Sequence, residues 1–444
     1  MAFDHKTRQI RDHDPVHKPR SSESSGKSIS EIHAENREIR RHLVAVLASA
    51  GVTQLLVATV YILSARSASP DRYGPVAAGA AVAMLAGSAV DFGGATYMVR
   101  ELAAGRGQEY QSWLYSKLLI GAVVALPIGA IAALVGARGA WTAANAAWLA
   151  VLFCGAIWSF LFAIPLRVNM RFGTISLIQV ISRAPSAIVA LLLQSAHRLV
   201  PELLVPLLAL AYVLEALMYV VSNGLRNLSG MTRGTRLVNP YTGSGRIGLN
   251  ATISSMSSLD AAVITATAGN LAAGQFAGVS KWTAPIGLVS TAISQTMFPR
   301  MSRARRDQRA RLLAVSLGYL GLALPILLAV AIFAPIVVRV LLGGQYAESV
   351  GVLRVLCVAL IFAMANQPLN STLIAWGEEH AATVVLFGSM VVQLASQAML
   401  AAGFGAIGAA WGAAVGQLLC LMGYAWVVYR ISTADPLQAV VQQI

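Results

Sequence analysis

Twelve long apolar stretches follow one another from Leu43 to Tyr429, and the segments between them are too short to hold a folded domain. A helix needs about 20 apolar residues to cross the hydrocarbon core of a bilayer. Lipid offers no partner to a bare peptide group, so a crossing segment must be a helix or a strand of a closed barrel. The apolar residues here run continuously instead of alternating, which selects helices. The pattern predicts an all-α polytopic membrane protein. Its spans fall near residues 43–64, 75–98, 113–135, 141–165, 174–194, 200–223, 247–268, 276–298, 311–333, 351–375, 381–402 and 406–429.

Charge agrees with this reading. A soluble chain carries about 25% charged residues, whereas this one carries 12%, with a mean hydropathy of +0.65. The net charge of +14 sits in loops: of 33 Lys and Arg, nine precede Leu43 and six lie from Arg300 to Arg311. That distribution excludes a nucleic-acid groove. With the N-terminus inside, the inner segments hold 24 basic residues and the outer loops five. The positive-inside rule therefore places both termini in the cytoplasm. The first apolar stretch begins behind a long polar tail and is too long for a signal h-region, so it reads as a retained anchor.

Residues 1–27 are polar and read as a disordered cytoplasmic tail. Ser28–Glu31 gives a capping-box pattern that opens an interfacial amphipathic helix over 28–42, anchored by Arg37, Arg40 and Arg41. The longest internal hydrophilic stretch, Asn223–Arg246, divides the chain. The resulting units are an N-lobe at 43–223, a cytoplasmic linker at 224–246, a C-lobe at 247–430 and a short cytoplasmic tail at 431–444. The second span of each half ends in a basic exit, Arg100 in one and Arg300 in the other. A carrier built from repeats, with its substrate path between the lobes, fits this layout. Gly408, Gly412 and Gly416 form a face that lets another helix approach closely.

A charge at the bilayer centre costs about 2.5–3.5 kcal/mol, so an intramembrane charge is a candidate functional group. Seven qualify: Asp91, Lys117, Arg183, Glu215, Asp260, Lys281 and Arg354. Arg183 shares a helix face with Gln179 and Ser186 beside Pro185. Its guanidinium fork suits a phosphate, and the alternative is a buried ion pair with Glu215. Glu215 lies in a stripe with Tyr212 and Tyr219, which can line a sugar path or serve Arg183. Asp260, behind Ser254, Ser257 and Ser258, is a candidate for coupling a cation or proton, or for holding a base in the opposite lobe. Asp91 precedes a glycine pair and reads as a cap or latch of the inner gate. Lys281 and Arg354 fall near the predicted outer ends of their spans, where they either snorkel or form a vestibule for an anionic head group. Lys117 reads as snorkelling on the inner side. Two further polar stripes, Gln393–Ser396–Gln397 and Asn366–Gln367–Asn370, line a cavity or tie helices together.

Several chemistries are not expected. Neither H-E-x-x-H nor G-x-S-x-G nor a zinc-spaced Cys/His cluster occurs, and Gly26–Lys27–Ser28 has Ser21 where a P-loop needs glycine. The short outer loops leave no acceptor site for a glycan polymerase or ligase. Thus no enzyme activity, metal or cofactor is expected, and cysteines 154, 357 and 420 read as packing residues.

An ordered set of motifs adds to this. Asp91–Phe92–Gly93–Gly94 running into Met98–Leu102, Ser258–Leu259–Asp260, Gly274–Gly278, Met297–Ser302 and Leu342–Tyr346 resemble the polysaccharide flippases (Wzx type) of the multidrug/oligosaccharidyl-lipid/polysaccharide (MOP) exporter superfamily. The resemblance implies twelve to fourteen helices in two six-helix lobes around a central cavity, in line with the count of about 12 apolar spans. It also implies flipping of a polyprenyl-pyrophosphate-linked oligosaccharide across the bacterial cytoplasmic membrane, by alternating access, for cell-envelope polysaccharide biosynthesis. The implied partners are the lipid-linked glycan and membrane lipids, with a glycan polymerase or glycosyltransferases as candidates. A cation-coupled multidrug antiporter of the same superfamily and a membrane scaffold for glycan-assembly enzymes are the rival readings. Intramembrane bases outnumber acids four to three, which favours an anionic cargo.

Overall fold

The structure, a computed structural model, describes residues 50–105, 109–136, 143–223, 236–281, 312–318 and 323–441, together with residues 287, 290, 294, 301 and 321. The tail at 1–27, the interfacial helix at 28–42, linker residues 224–235 and most of the 276–298 span lie outside the described residues.

Helices α1 (Ala50–Arg66), α2 (Pro70–Asp91), α3 (Gly94–Ala103), α4 (Tyr110–Gly136), α5 (Ala143–Phe162), α6 (Ile164–Val168), α7 (Phe172–Ser195) and α8 (Leu204–Asn223) make up the first half. The second half contains α9 (Gly245–Ser255), α10 (Asp260–Ser280), α11 (Leu324–Ile332), α12 (Ala334–Leu341), α13 (Ser349–Ala375) and α14 (Glu379–Val441). No strand occurs among the described residues. Seven described helices are long and apolar enough to cross a membrane, or eight if the bent pair α11–α12 is one span. Large apolar side chains face outward along them, among them Leu126, Leu192, Met399 and Phe404. Exposed apolar surface on this scale needs lipid to cover it. The all-α polytopic membrane fold expected from the sequence is therefore the fold observed.

Glycines set the breaks. α10 is interrupted at Gly269, whose φ of 84° is left-handed, and α14 at Gly405, with φ of 61°. At Gly405 the chain folds back on itself. Gly412 lies against Gln397, Gly416 against Gln393 and Gly423 against Val385, an antiparallel register centred on the turn. The glycine face seen in the sequence thus packs on the preceding span, as small residues do in membrane helix pairs. The Gly269 turn also starts the eighth span earlier than the hydropathy edge at 276. Asp260 and Lys281 then stand on either side of the turn, and both line one cavity.

Helix α2 joins the two halves. Pro70 opens it, where proline's missing N–H is no loss. It ends at Asp91 because Phe92 and Gly93 are both left-handed, with φ of 44° and 62°. The predicted 75–98 span is thus broken into α2 and α3. At the Pro70 end, a side chain on Gly274 would run into the Pro70 carbonyl, and one on Gly74 into that of Asn270. One turn before its far end, Ser88 Oγ and Ser255 Oγ are 2.6 Å apart. At the Asp91 end, Phe92 and Gly93 lie against Gly248. The two halves are therefore in contact at both ends of α2.

Candidate functional site

The charged groups fall into three places. The first is the α7–α8 contact in the first half. Ser186 Oγ donates to the Leu207 carbonyl at 2.8 Å, fixing the register of the two helices. One turn away, Arg183 Nη1 donates to Glu215 Oε2 at 2.7 Å, and Tyr219 Oη donates to Glu215 Oε1 at 3.1 Å. The guanidinium also lies 4.9 Å from the centre of the Tyr212 ring. Arg183 and Glu215 are both buried, at 8% and 3% exposure. This cluster, with Arg183, Glu215, Tyr212 and Tyr219 together, is the ion pair weighed as one reading of the sequence. Both carboxylate oxygens are engaged, while Arg183 Nε is buried without a partner. Gln179, one turn from Arg183, is half-buried and its carbonyl accepts from Ser182.

The second place is the Asp91 end of α2. Asp91 Oδ1 accepts from the Ala95 N–H at 3.2 Å, capping α3 across the left-handed turn. Lys117 does not snorkel. It is fully buried, and its Nζ donates to the carbonyls of Val90 at 3.0 Å and Asp91 at 2.7 Å, the last of α2. Those carbonyls have no partner within the helix, which is why a buried cation settles there. The ammonium also lies 4.0 Å from the centre of the Tyr241 ring. Tyr241 donates its hydroxyl to Val90 O at 3.1 Å, and Trp113 Nε1 donates to Pro240 O at 2.9 Å. The Val238 N–H reaches Ser116 Oγ at 3.0 Å. Burial, and then the field of Asp91, pushes the Tyr241 hydroxyl above its ordinary range, so it remains a donor. Thus the described end of the linker, residues 236–244, is strapped to the first half. Beside it opens a cavity of about 780 Å³ lined by Tyr97, Glu101, Glu109, Tyr110, Trp113 and Asn239.

The third place is a cavity of about 320 Å³ inside the second half. Asp260, Lys281, Ser257, Ser258, Gln393 and Gln417 supply its polar wall, and Phe276, Leu356, Ala359 and Leu360 its apolar one. A carboxamide relay runs up to it. Asn366 Nδ2 donates to Gln417 Oε1 at 2.9 Å, and Gln417 Nε2 donates to Gln393 Oε1 at 3.0 Å. This leaves Gln393 Nε2 to approach Asp260 Oδ1 at 3.5 Å. Of the two polar stripes, Gln393 does both tasks foreseen: it lines the cavity and ties α14 to itself. Arg354 lies elsewhere. It is exposed, and its Nε donates to the Ala331 carbonyl at 3.2 Å. That carbonyl sits beside the 74° bend between α11 and α12, where the broken helix frees acceptors.

Sequence reasoning missed Trp113 and Tyr241 as partners of Lys117, and Gln417 as a cavity group. The signal for Gln417 was present: it is the one carboxamide in the apolar run 406–429. For Tyr241 there was none, because its place depends on how the linker folds back.

This fold of crossing helices in two abutting halves is similar to that of solved MOP superfamily transporters. A multidrug resistance MATE family transporter in its inward-facing conformation superposes with a TM-score of 0.63 at 15% identity, covering 88% of this chain and 98% of that one. The lipid II flippase MurJ, in an inward closed conformation, superposes with a TM-score of 0.68 at 12% identity, covering 87% of each chain. A MOP superfamily transporter from Pyrococcus furiosus gives 0.56 at 16% identity, covering 89% and 95%. No curated protein matches the sequence. The chain belongs to the family described as polysaccharide biosynthesis protein, whose profile matches residues 63–351.

Proposed function

We propose that this protein is a flippase that carries a polyprenyl-pyrophosphate-linked oligosaccharide from the inner to the outer leaflet of the bacterial cytoplasmic membrane by alternating access. It would act in cell-envelope polysaccharide synthesis, as a carrier and not an enzyme, with both termini in the cytoplasm. The observation that carries this reading is a charged, polar cavity among the spanning helices of a polysaccharide biosynthesis family member. An undecorated bilayer cannot pass a glycan head group, because each unpaired polar group costs free energy in hydrocarbon. A cavity with hydrogen-bonding walls replaces the lost water.

Fold likeness to a lipid II flippase and to drug exporters supports a carrier, and the family supports a glycan cargo. Lys281 is the proposed cationic group toward the pyrophosphate in this state, and Arg183 in other states of the cycle. Gln179, Glu215, Tyr212, Tyr219 and Arg354 are proposed substrate contacts of other states of the cycle, and Asp260 and Asp91 its coupling or gating groups. Energy would come from ion gradients, membrane potential or mass action.

The test is a strain lacking the gene. Lipid-linked glycan accumulating on the cytoplasmic leaflet, with loss of the surface polymer, is the expected result. Normal surface glycan with altered dye efflux would replace this reading with the multidrug antiporter. Loss of polymer on deleting only residues 1–27 would favour the scaffold.

A further inference from the structure

Resting on the flippase reading, the geometry points to a division of labour between the halves: the cavity around Asp260 and Lys281, and not Arg183, seats the sugar-phosphate junction of the head group. Lys281 takes a phosphoryl oxygen, and Asp260 with Gln393 takes sugar hydroxyls.

Three observations lead here. Arg183 is already engaged, since Glu215 supplies a full counter-charge at 2.7 Å and is itself completed by Tyr219. Asp260 and Lys281 are different. They face one cavity, yet among the described residues no ion pair or direct hydrogen bond joins them. Lys281 has three N–H donors and, among the described residues, no acceptor for them. Asp260 meets carboxamides instead: Gln393 approaches it at 3.5 Å and Gln397 lies beside it. Opposite charges in a low dielectric collapse onto each other unless the backbone holds them apart. Here each stands on its own side of the Gly269 turn.

The ligand that fits must bring acceptors to the ammonium and donors to the carboxylate at once. Inorganic phosphate satisfies Lys281 but is repelled by Asp260. An organic cation satisfies Asp260 but is repelled by Lys281. A neutral sugar leaves the ammonium unpaired. A glycosyl phosphate supplies both groups on adjacent atoms. The relay from Asn366 through Gln417 turns the Gln393 amide so that its N–H points at the Asp260 side, and Ser257 and Ser258 line the same wall. The volume of about 320 Å³ is in the range of small-ligand sites, about 300–1,000 Å³.

Binding to the full-length protein in phosphatidylcholine nanodiscs tests this with three probes: farnesyl-pyrophosphoryl-N-acetylglucosamine, farnesyl pyrophosphate, and UDP-N-acetylglucosamine as a soluble glycosyl phosphate. K281M should weaken all three at least tenfold. D260N should weaken the two sugar-bearing probes and leave farnesyl pyrophosphate as tight or tighter. The double variant, which keeps the cavity neutral, should retain the wild-type melting temperature and still lose the sugar-bearing probes; this separates binding from folding. Retention of UDP-N-acetylglucosamine binding by wild type would show that the cavity reads the sugar phosphate and not the prenyl chain, in support. If K281M binds as wild type does, this assignment falls while the flippase reading stands. If wild type binds none of the probes but takes up ethidium, both fall. Displacement of the probes by phosphatidylethanolamine added to the nanodisc, lost in K281M, would overturn the assignment in favour of a zwitterionic lipid head group.

Discussion

Arg183 and Glu215 show what one buried residue can demand of its neighbours. Removing the carboxylate leaves a guanidinium beside Tyr212 with no counter-charge, in a site 3–8% exposed. Breaking a buried pair this way costs about 3–5 kcal/mol, whereas replacing both members by apolar groups is close to neutral. E215A should therefore lower the melting temperature of the purified protein strongly, and R183M/E215M should recover most of the loss. Equal melting of E215A and wild type would mean that the pair is not formed in the membrane. The sequence showed both residues and their faces, and it named their pairing as one of two readings. Choosing between them needed the α7–α8 register, which Ser186 and Leu207 fix at 2.8 Å and which no periodicity encodes. Asp260 and Lys281 were legible as charges but not as neighbours, because hydropathy put the start of the eighth span at Phe276, beyond the turn at Gly269.

At the scale of elements, the short motifs mark joints. Asp91–Gly94 builds a left-handed turn that admits Gly248. In Gly274–Gly278, the first glycine meets Pro70 and the last faces the Tyr346 ring. Gln345 Nε2 donates to the Ala68 carbonyl at 2.7 Å, tying the loop after α12 to the α1–α2 connection. The Asp91 end is held by Lys117. Its two carbonyl bonds are worth about 0.6 kcal/mol each by membrane double-mutant cycles, and its contact with Tyr241 about 0.5–2 kcal/mol. Of these only the Tyr241 contact reaches the strap, so K117M should loosen residues 236–244 by roughly tenfold in equilibrium constant, since about 1.4 kcal/mol is one decade. A cysteine at Ser116, buried under Val238, reports on it: its labelling by a polar maleimide should rise about tenfold in K117M. Unchanged labelling would mean that the strap is held by Trp113 and the backbone alone. Span positions were readable from apolar length because the bilayer enforces it. The breaks at Phe92–Gly93, Gly269 and Gly405 were less so, since glycine is also frequent inside membrane helices and only left-handed backbone distinguishes a turn from a packing site.

For the whole molecule, α2 is the seam that any alternating-access cycle must open. It touches the second half at Gly274, at Ser255 and at Gly248, so the two halves cannot rock apart in this state without parting at one end. Ser88 and Ser255 lie between those ends, with their hydroxyls 2.6 Å apart. A covalent bond there would hold the seam shut while leaving the cavity around Asp260 untouched. With cysteines 154, 357 and 420 replaced by alanine, S88C/S255C should form a disulfide on oxidation. Flipping of a fluorescent lipid-linked glycan in proteoliposomes should then fall to the protein-free rate and return on reduction. Each single cysteine variant should transport in both conditions. Full transport by the oxidised pair would show that the halves do not separate along α2, and that the head group passes by a route within one half.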